Sequence, residues 1–192
     1  TIFYVPMVPI IIFIFKKDFL HWSVWPSVIL CLIGGYLLTN FQDATVRLGD
    51  TLVVLGALFW STHIIFTGMI IKKYNLPLTI GAIQTLLVAL FSFIIGLFSE
   101  EFVIDNILNE IDSILYAGIL SGGFAFVLQI YAQRNITPAP AAIIFSLEGV
   151  FATIAAWFLL NQILGINNLL GCFFILSGVL LSQLVPLIRK SN

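Results

Sequence analysis

From Gly149 to Ile188 the chain carries no charged side chain, and the windows 1–15, 19–42, 51–71, 74–99 and 113–133 are equally free of charge. A helix crossing ~30 Å of hydrocarbon needs about 20 apolar residues, and lipid offers no partner to an unpaired peptide group. Helices are therefore the form open to such windows. Composition points the same way: 60% of the residues are hydrophobic and 9% charged, against roughly 25% charged in a soluble domain. A net charge of −1 gives no electrostatic case for nucleic-acid binding. Cys31 and Cys172 both sit inside apolar runs, so neither a disulfide framework nor a thiolate metal site is indicated, and no cofactor is implied. No basic region precedes Phe3 and no small-residue cleavage site follows Phe15, which argues against a secretory signal peptide.

The stretch from 149 to 188 is too long for one span, and the polar knot Asn161, Gln162, Asn167 and Asn168 around Gly165 divides it. This predicts seven helices, at about 1–15, 25–42, 51–71, 76–98, 113–133, 139–160 and 165–186. Lys16 and Lys17 follow the first, Lys72 and Lys73 the third, Arg134 the fifth, and Arg189 and Lys190 the last. Only Arg47 falls on the other side. The positive-inside rule places these basic connections and the C-terminus in the cytoplasm, with loop 99–112, which bears Glu100, Glu101, Asp105, Glu110 and Asp112, facing outward. The first window would reach only ~22 Å, which reads as a longer helix that has been cut.

Sliding the sequence on itself pairs residues 33–40 with 176–183 at an offset of 143, with Gly35, Leu37 and Leu38 identical to Gly178, Leu180 and Leu181. An odd number of spans separates the copies, so they would stand upside down to one another, the inverted-repeat plan of many secondary transporters. Completing the first copy would require about 94 further residues and three further helices, giving ten spans. The expected organisation is the last two helices of a first repeat at 1–42, an outer linker at 43–50, a five-helix second repeat at 51–186 and a cytoplasmic tail at 187–192. The fold class is thus an all-α polytopic membrane protein, an inverted-repeat helical bundle with seven helices present of ten.

The residues also carry a family resemblance. Leu48-Gly49-Asp50-Thr51-Leu52 leading into Gly56-Ala57-Leu58-Phe59-Trp60-Ser61 resembles the opening of the second repeat in EamA-like members of the drug/metabolite transporter superfamily. Pro140 through Leu160, centred on Ser146-Leu147-Glu148, is similar to that family's most recognisable helix, and Gly171 through Leu181 to its last. Asn161-Gln162 stand where the family often has Gly-Glu, and the counterpart near Phe3-Tyr4-Val5-Pro6 lacks an acid. The resemblance implies a multi-pass inner-membrane permease, not an enzyme, moving a small metabolite or drug by alternating access, with protons as the candidate coupling ion. The alternative is a seven-span receptor or sensor, or an integral-membrane enzyme. No convergent acid, base or metal ligands favour the enzyme.

Glu148 is the one carboxylate predicted near a bilayer midplane. It reads either as a coupling group whose protonation changes between inward and outward states, or as a protonated acid that fixes packing by a hydrogen bond. His63, with Trp60 at i−3 and Thr67 at i+4, puts an imidazole, an indole and a hydroxyl on one helix face, suited either to binding an organic solute or to interhelical packing. Gln84 and Gln129 are amides at lipid depth, expected to point inward. Gly118, Gly122, Gly149 and Gly178 read as helix-packing positions. The expected partners are a small-molecule substrate and the lipid bilayer; the sequence does not address oligomeric state.

Overall fold

Helix ends fall where local chemistry ends them. Asn75 and Asn161 take left-handed backbone, at φ 55° and 51°, a conformation asparagine tolerates and one that closes helices at their C-terminal side. Pro77 and Pro138 stand in first turns, where a missing N–H costs nothing. The computed structural model describes residues 2–16, 20–39 and 48–190, and every regular element among them is helical. They are α1 (Tyr4–Lys16), α2 (Val24–Leu38), α3 (Leu48–Tyr74), α4 (Pro77–Ser99), α5 (Ile104–Asn109), α6 (Ile111–Leu115), a π-helical stretch (Tyr116–Ala125), α7 (Phe126–Gln133), α8 (Pro138–Phe145), α9 (Leu147–Leu160) and α10 (Ile166–Lys190).

Five of these are long and apolar enough to cross a membrane: α3, α4, the run from Ile111 to Gln133, the run from Pro138 to Leu160, and α10. The chain is a multi-pass helical membrane protein. The predicted count of seven meets five such helices and two shorter ones. With 13 and 15 residues, α1 and α2 extend only about 20 and 22 Å. The end of the helix predicted to 42, most of the linker 43–50, Lys17, Arg47 and the last two residues of the tail lie outside the described residues. The break in 149–188 falls at 161–165, between α9 and α10.

The chain divides into two compact units, residues 1–66 with 136–192, and residues 67–135. In the first, Val5, Val8, Val28, Cys31, Ala142, Ile143 and Ile175 form a buried core contributed by α1, α2, α8 and α10. Ser61 on α3 donates to its own Ala57 carbonyl at 2.7 Å and reaches the Tyr4 carbonyl of α1 at 3.5 Å. In the second unit α4 packs on α7, where a Cβ on Gly81 would lie 2.9 Å from Val127 Cγ2.

The closest helix contact in the first unit joins α2 and α10, antiparallel, at glycines. A Cβ on Gly34 would stand 2.6 Å from the Gly171 carbonyl oxygen and 2.6 Å from the Ile175 side chain. One on Gly178 would stand 2.8 Å from the Ser27 carbonyl oxygen and 2.9 Å from Cys31 Sγ. Gly34 with Gly171 and Ile175 maps onto Gly178 with Ser27 and Cys31 by one constant shift of 144, a residue away from the register with most identities. Gly35, the match of Gly178 in that register, faces Ile2 instead. Counting identities weighs leucines equally with glycines, whereas backbone contact is permitted only where a Cβ is absent.

Candidate functional site

The helix predicted over 139–160 is interrupted at Ser146. Its N–H bonds the Ile143 carbonyl at 3.2 Å, its hydroxyl donates to that same oxygen, and Gly149 N–H returns to the Ser146 carbonyl at 3.2 Å. These three-residue closures replace the regular four-residue ladder for one turn. The Ser146 hydroxyl also lies 3.4 Å from Cys31 Sγ on α2. Glu148 thereby falls in the first turn of α9, where peptide N–H groups favour negative charge.

Two cavities of the first unit meet at this residue. One, of about 260 Å³, is lined by Tyr4, Leu38, Thr39, Ser146, Glu148, Gly149 and their neighbours Ile2, Gly35, Ala152 and Ile175. The other, of about 380 Å³, is lined by Tyr4, Val53, Gly56, Ala57, Trp60 and Glu148. Glu148 and Tyr4 border both. Glu148 is exposed, and among the described residues no hydrogen bond or ion pair holds its carboxylate.

Trp60 stacks on His63, with ring centroids 5.0 Å apart and planes 19° from parallel. The indole lines the second cavity and the imidazole backs the indole. Thr67, one turn further along α3, is buried and lines neither cavity. Gln84 and Gln129 are half-buried in the other unit, on α4 and α7, and also line neither cavity. Gly149 borders the first cavity and its missing Cβ faces Leu38 Cδ1 at 3.3 Å. Among the described residues, a Cβ on Gly118 would meet no neighbour within 4 Å, while one on Gly122 would meet the Ala117 carbonyl of its own helix at 3.2 Å. Sequence reasoning placed neither Tyr4 nor Thr39 at a site, and read Ser146 only as part of the Ser146-Leu147-Glu148 motif. Tyr4 had a usable signal, a phenol inside an otherwise apolar helix; the other two gain their places only through the approach of α2 to α8 and α9. Among the described residues no group of three His, Cys, Asp or Glu is placed to hold a metal.

Several known proteins are similar to this chain. An uncharacterized transporter of Archaeoglobus fulgidus is 29% identical over 187 residues, covering 94% of this chain and 58% of the relative. The uncharacterized transporter YoaV of Bacillus subtilis is 27% identical over 84% of this chain and 55% of its own length. The Arabidopsis thaliana protein WALLS ARE THIN 1 is 27% identical over 83% of this chain and 40% of its own. The chain thus spans between 40% and 58% of the length of these relatives. No solved structure matches. The EamA-like transporter family matches residues 47–184, most of the chain and the whole of the segment that carries Trp60, His63 and Glu148, and the chain belongs to that family.

Proposed function

We propose that the chain carries the larger part of a secondary transporter that moves a small organic solute across the plasma membrane by alternating access, with Glu148 as the group that couples flux to protons. One observation carries this reading: the Glu148 carboxylate, midway along a helical run of membrane-crossing length, borders with Tyr4 two cavities, one walled by the Trp60 indole. An acid in that position can exchange a proton with either compartment as the cavities open in turn, and the stacked indole supplies flat area for an organic body. The α2–α10 contact supports an inverted repeat, because Gly34 and Gly178 play the same part on opposite helices. Membership of a transporter family supports the class of activity.

The test is flux in proteoliposomes of the full-length protein, with and without a pH gradient. Glu148→Gln keeps size and hydrogen-bonding capacity and removes the titrating proton. It should abolish the response to the gradient while leaving downhill exchange measurable. Flux in Glu148→Gln that stays intact and equally pH-sensitive would sink the coupling role.

A further inference from the structure

The connection between α4 and the helix beginning at Ile111 has a built-in polarity that the cavities do not use. α5 and α6 follow one another through a bend at Glu110, whose backbone sits at φ −104° and ψ 15°. Along α5, at 100° per residue, Ile104, Ile107 and Leu108 fall within an arc of about 100°. Asp105, Asn106 and Asn109 share an opposite arc of about 100°. The apolar arc is exposed along its length.

Connectivity and one aromatic contact say what covers it. Both flanking helices are of membrane-crossing length, so the ends of this segment lie at a bilayer surface. Phe102 does not run on into water: its ring turns back over α4, 6.3 Å from the Phe93 ring, and its Cζ would lie 3.6 Å from a Cβ on Gly96. Phe93 and Gly96 precede the end of α4 at Ser99, about 9 and 4.5 Å down the axis, so the chain leaving α4 dips back toward hydrocarbon. From there we infer that residues 102–110 lie in the headgroup layer, apolar arc down, as an acidic amphipathic anchor that selects zwitterionic over anionic lipid. Interfacial helices ordinarily present Lys and Arg to anionic headgroups. This one presents only acids between Ser99 and Arg134, and like charge repels it from such lipid.

The test uses the full-length protein in phosphatidylcholine nanodiscs, with nitroxides at single cysteines Ile107→Cys, Leu108→Cys, Asp105→Cys and Asn109→Cys in a background lacking Cys31 and Cys172. Collision with oxygen should dominate at 107 and 108, and collision with a water-soluble nickel chelate at 105 and 109. Replacing part of the lipid with phosphatidylglycerol should raise nickel access at 107 and 108, and magnesium should reverse this. The unsubstituted protein gives a second readout, since a carbene-generating lipid probe placed at headgroup depth should label within 102–110. Equal, water-like access at all four positions, shielding of 107 and 108 from both reagents as a protein neighbour would give, deeper insertion in phosphatidylglycerol, or no label in 102–110 each overturns the proposal.

Discussion

Gly34 and Gly35 are neighbours in sequence and opposites in consequence. A methyl group on Gly34 meets a backbone carbonyl at 2.6 Å, and backbone cannot step aside without moving a helix. On Gly35 it meets the far end of the Ile2 side chain, which can rotate. Overpacking of the first kind costs about 1–3 kcal/mol, against the roughly 0.5–1 kcal/mol that alanine gains over glycine inside a helix. Gly34→Ala and Gly178→Ala should therefore lower the unfolding midpoint in detergent by similar amounts. Gly35→Ala should cost less and Gly118→Ala nothing. If Gly35→Ala and Gly178→Ala prove the matched pair, the 144 shift is wrong. Glu148 and His63 stand out in sequence because an ionisable group in an apolar helix is rare, and Trp60 through its spacing from His63. Tyr4 left a fainter signal as a phenol in an apolar helix, and Ser146 left none, because what matters about it is which distant helix arrives beside it.

At the scale of elements, two departures from regular α-helix were hidden from hydrophobic periodicity. The first is the break at Ser146. A one-turn tightening leaves the apolar pattern unchanged, and serine reads equally well as a small packing residue. Ser146→Ala removes the hydroxyl bonds to Ile143 and Cys31, and a net loss of about 0.5–1.5 kcal/mol is expected. Faster amide exchange at residues 147–149 should accompany it, and unchanged stability and exchange would mean the backbone alone holds the break. The second is the π-helical stretch Tyr116–Ala125, whose wider turn differs from the α-helix by one residue. It accounts for glycines that read as packing positions: Cβ atoms on Gly122 and Gly123 would lie 3.2 and 3.3 Å from the carbonyls five residues earlier, those of Ala117 and Gly118. Gly122→Ala should forfeit the usual gain of roughly 0.5–1 kcal/mol that glycine-to-alanine changes bring in ordinary helix, because the Ala117 carbonyl must give way. Denaturant midpoints of the two kinds of variant decide it.

For the whole molecule, the number of long helices after residue 48 was legible, because each is an apolar run, interrupted in its middle only by Glu148, and closed by a charge, a proline or an asparagine. The short reach of the first helix was legible too, from the length of its window, whereas the early end of α2 and the division of the chain into units were not, since the latter depends on which helices associate rather than on how apolar each is. Orientation rests on charge. Lys72 and Lys73 close α3 and Arg134 follows α7, whereas the connection from Glu100 to Asp112 has five acids and no base. If each of the five membrane-length helices from α3 to α10 crosses once, the charge rule predicts the start of α3 outside and the end of α10 inside. The run from Ile111 to Gln133 provides a self-controlled measurement, because its two ends must lie on opposite faces of the bilayer. A membrane-impermeant maleimide applied to intact cells should react with Glu101→Cys and leave Asn135→Cys untouched until the membrane is permeabilised. Either substitution leaves every Lys and Arg in place, so neither disturbs the charges that set orientation. Reaction at Asn135→Cys alone would invert the topology and place the acidic anchor in the cytoplasmic leaflet. Reaction at both in intact cells would mean that the chain inserts in two orientations, which the asymmetry of its basic residues argues against.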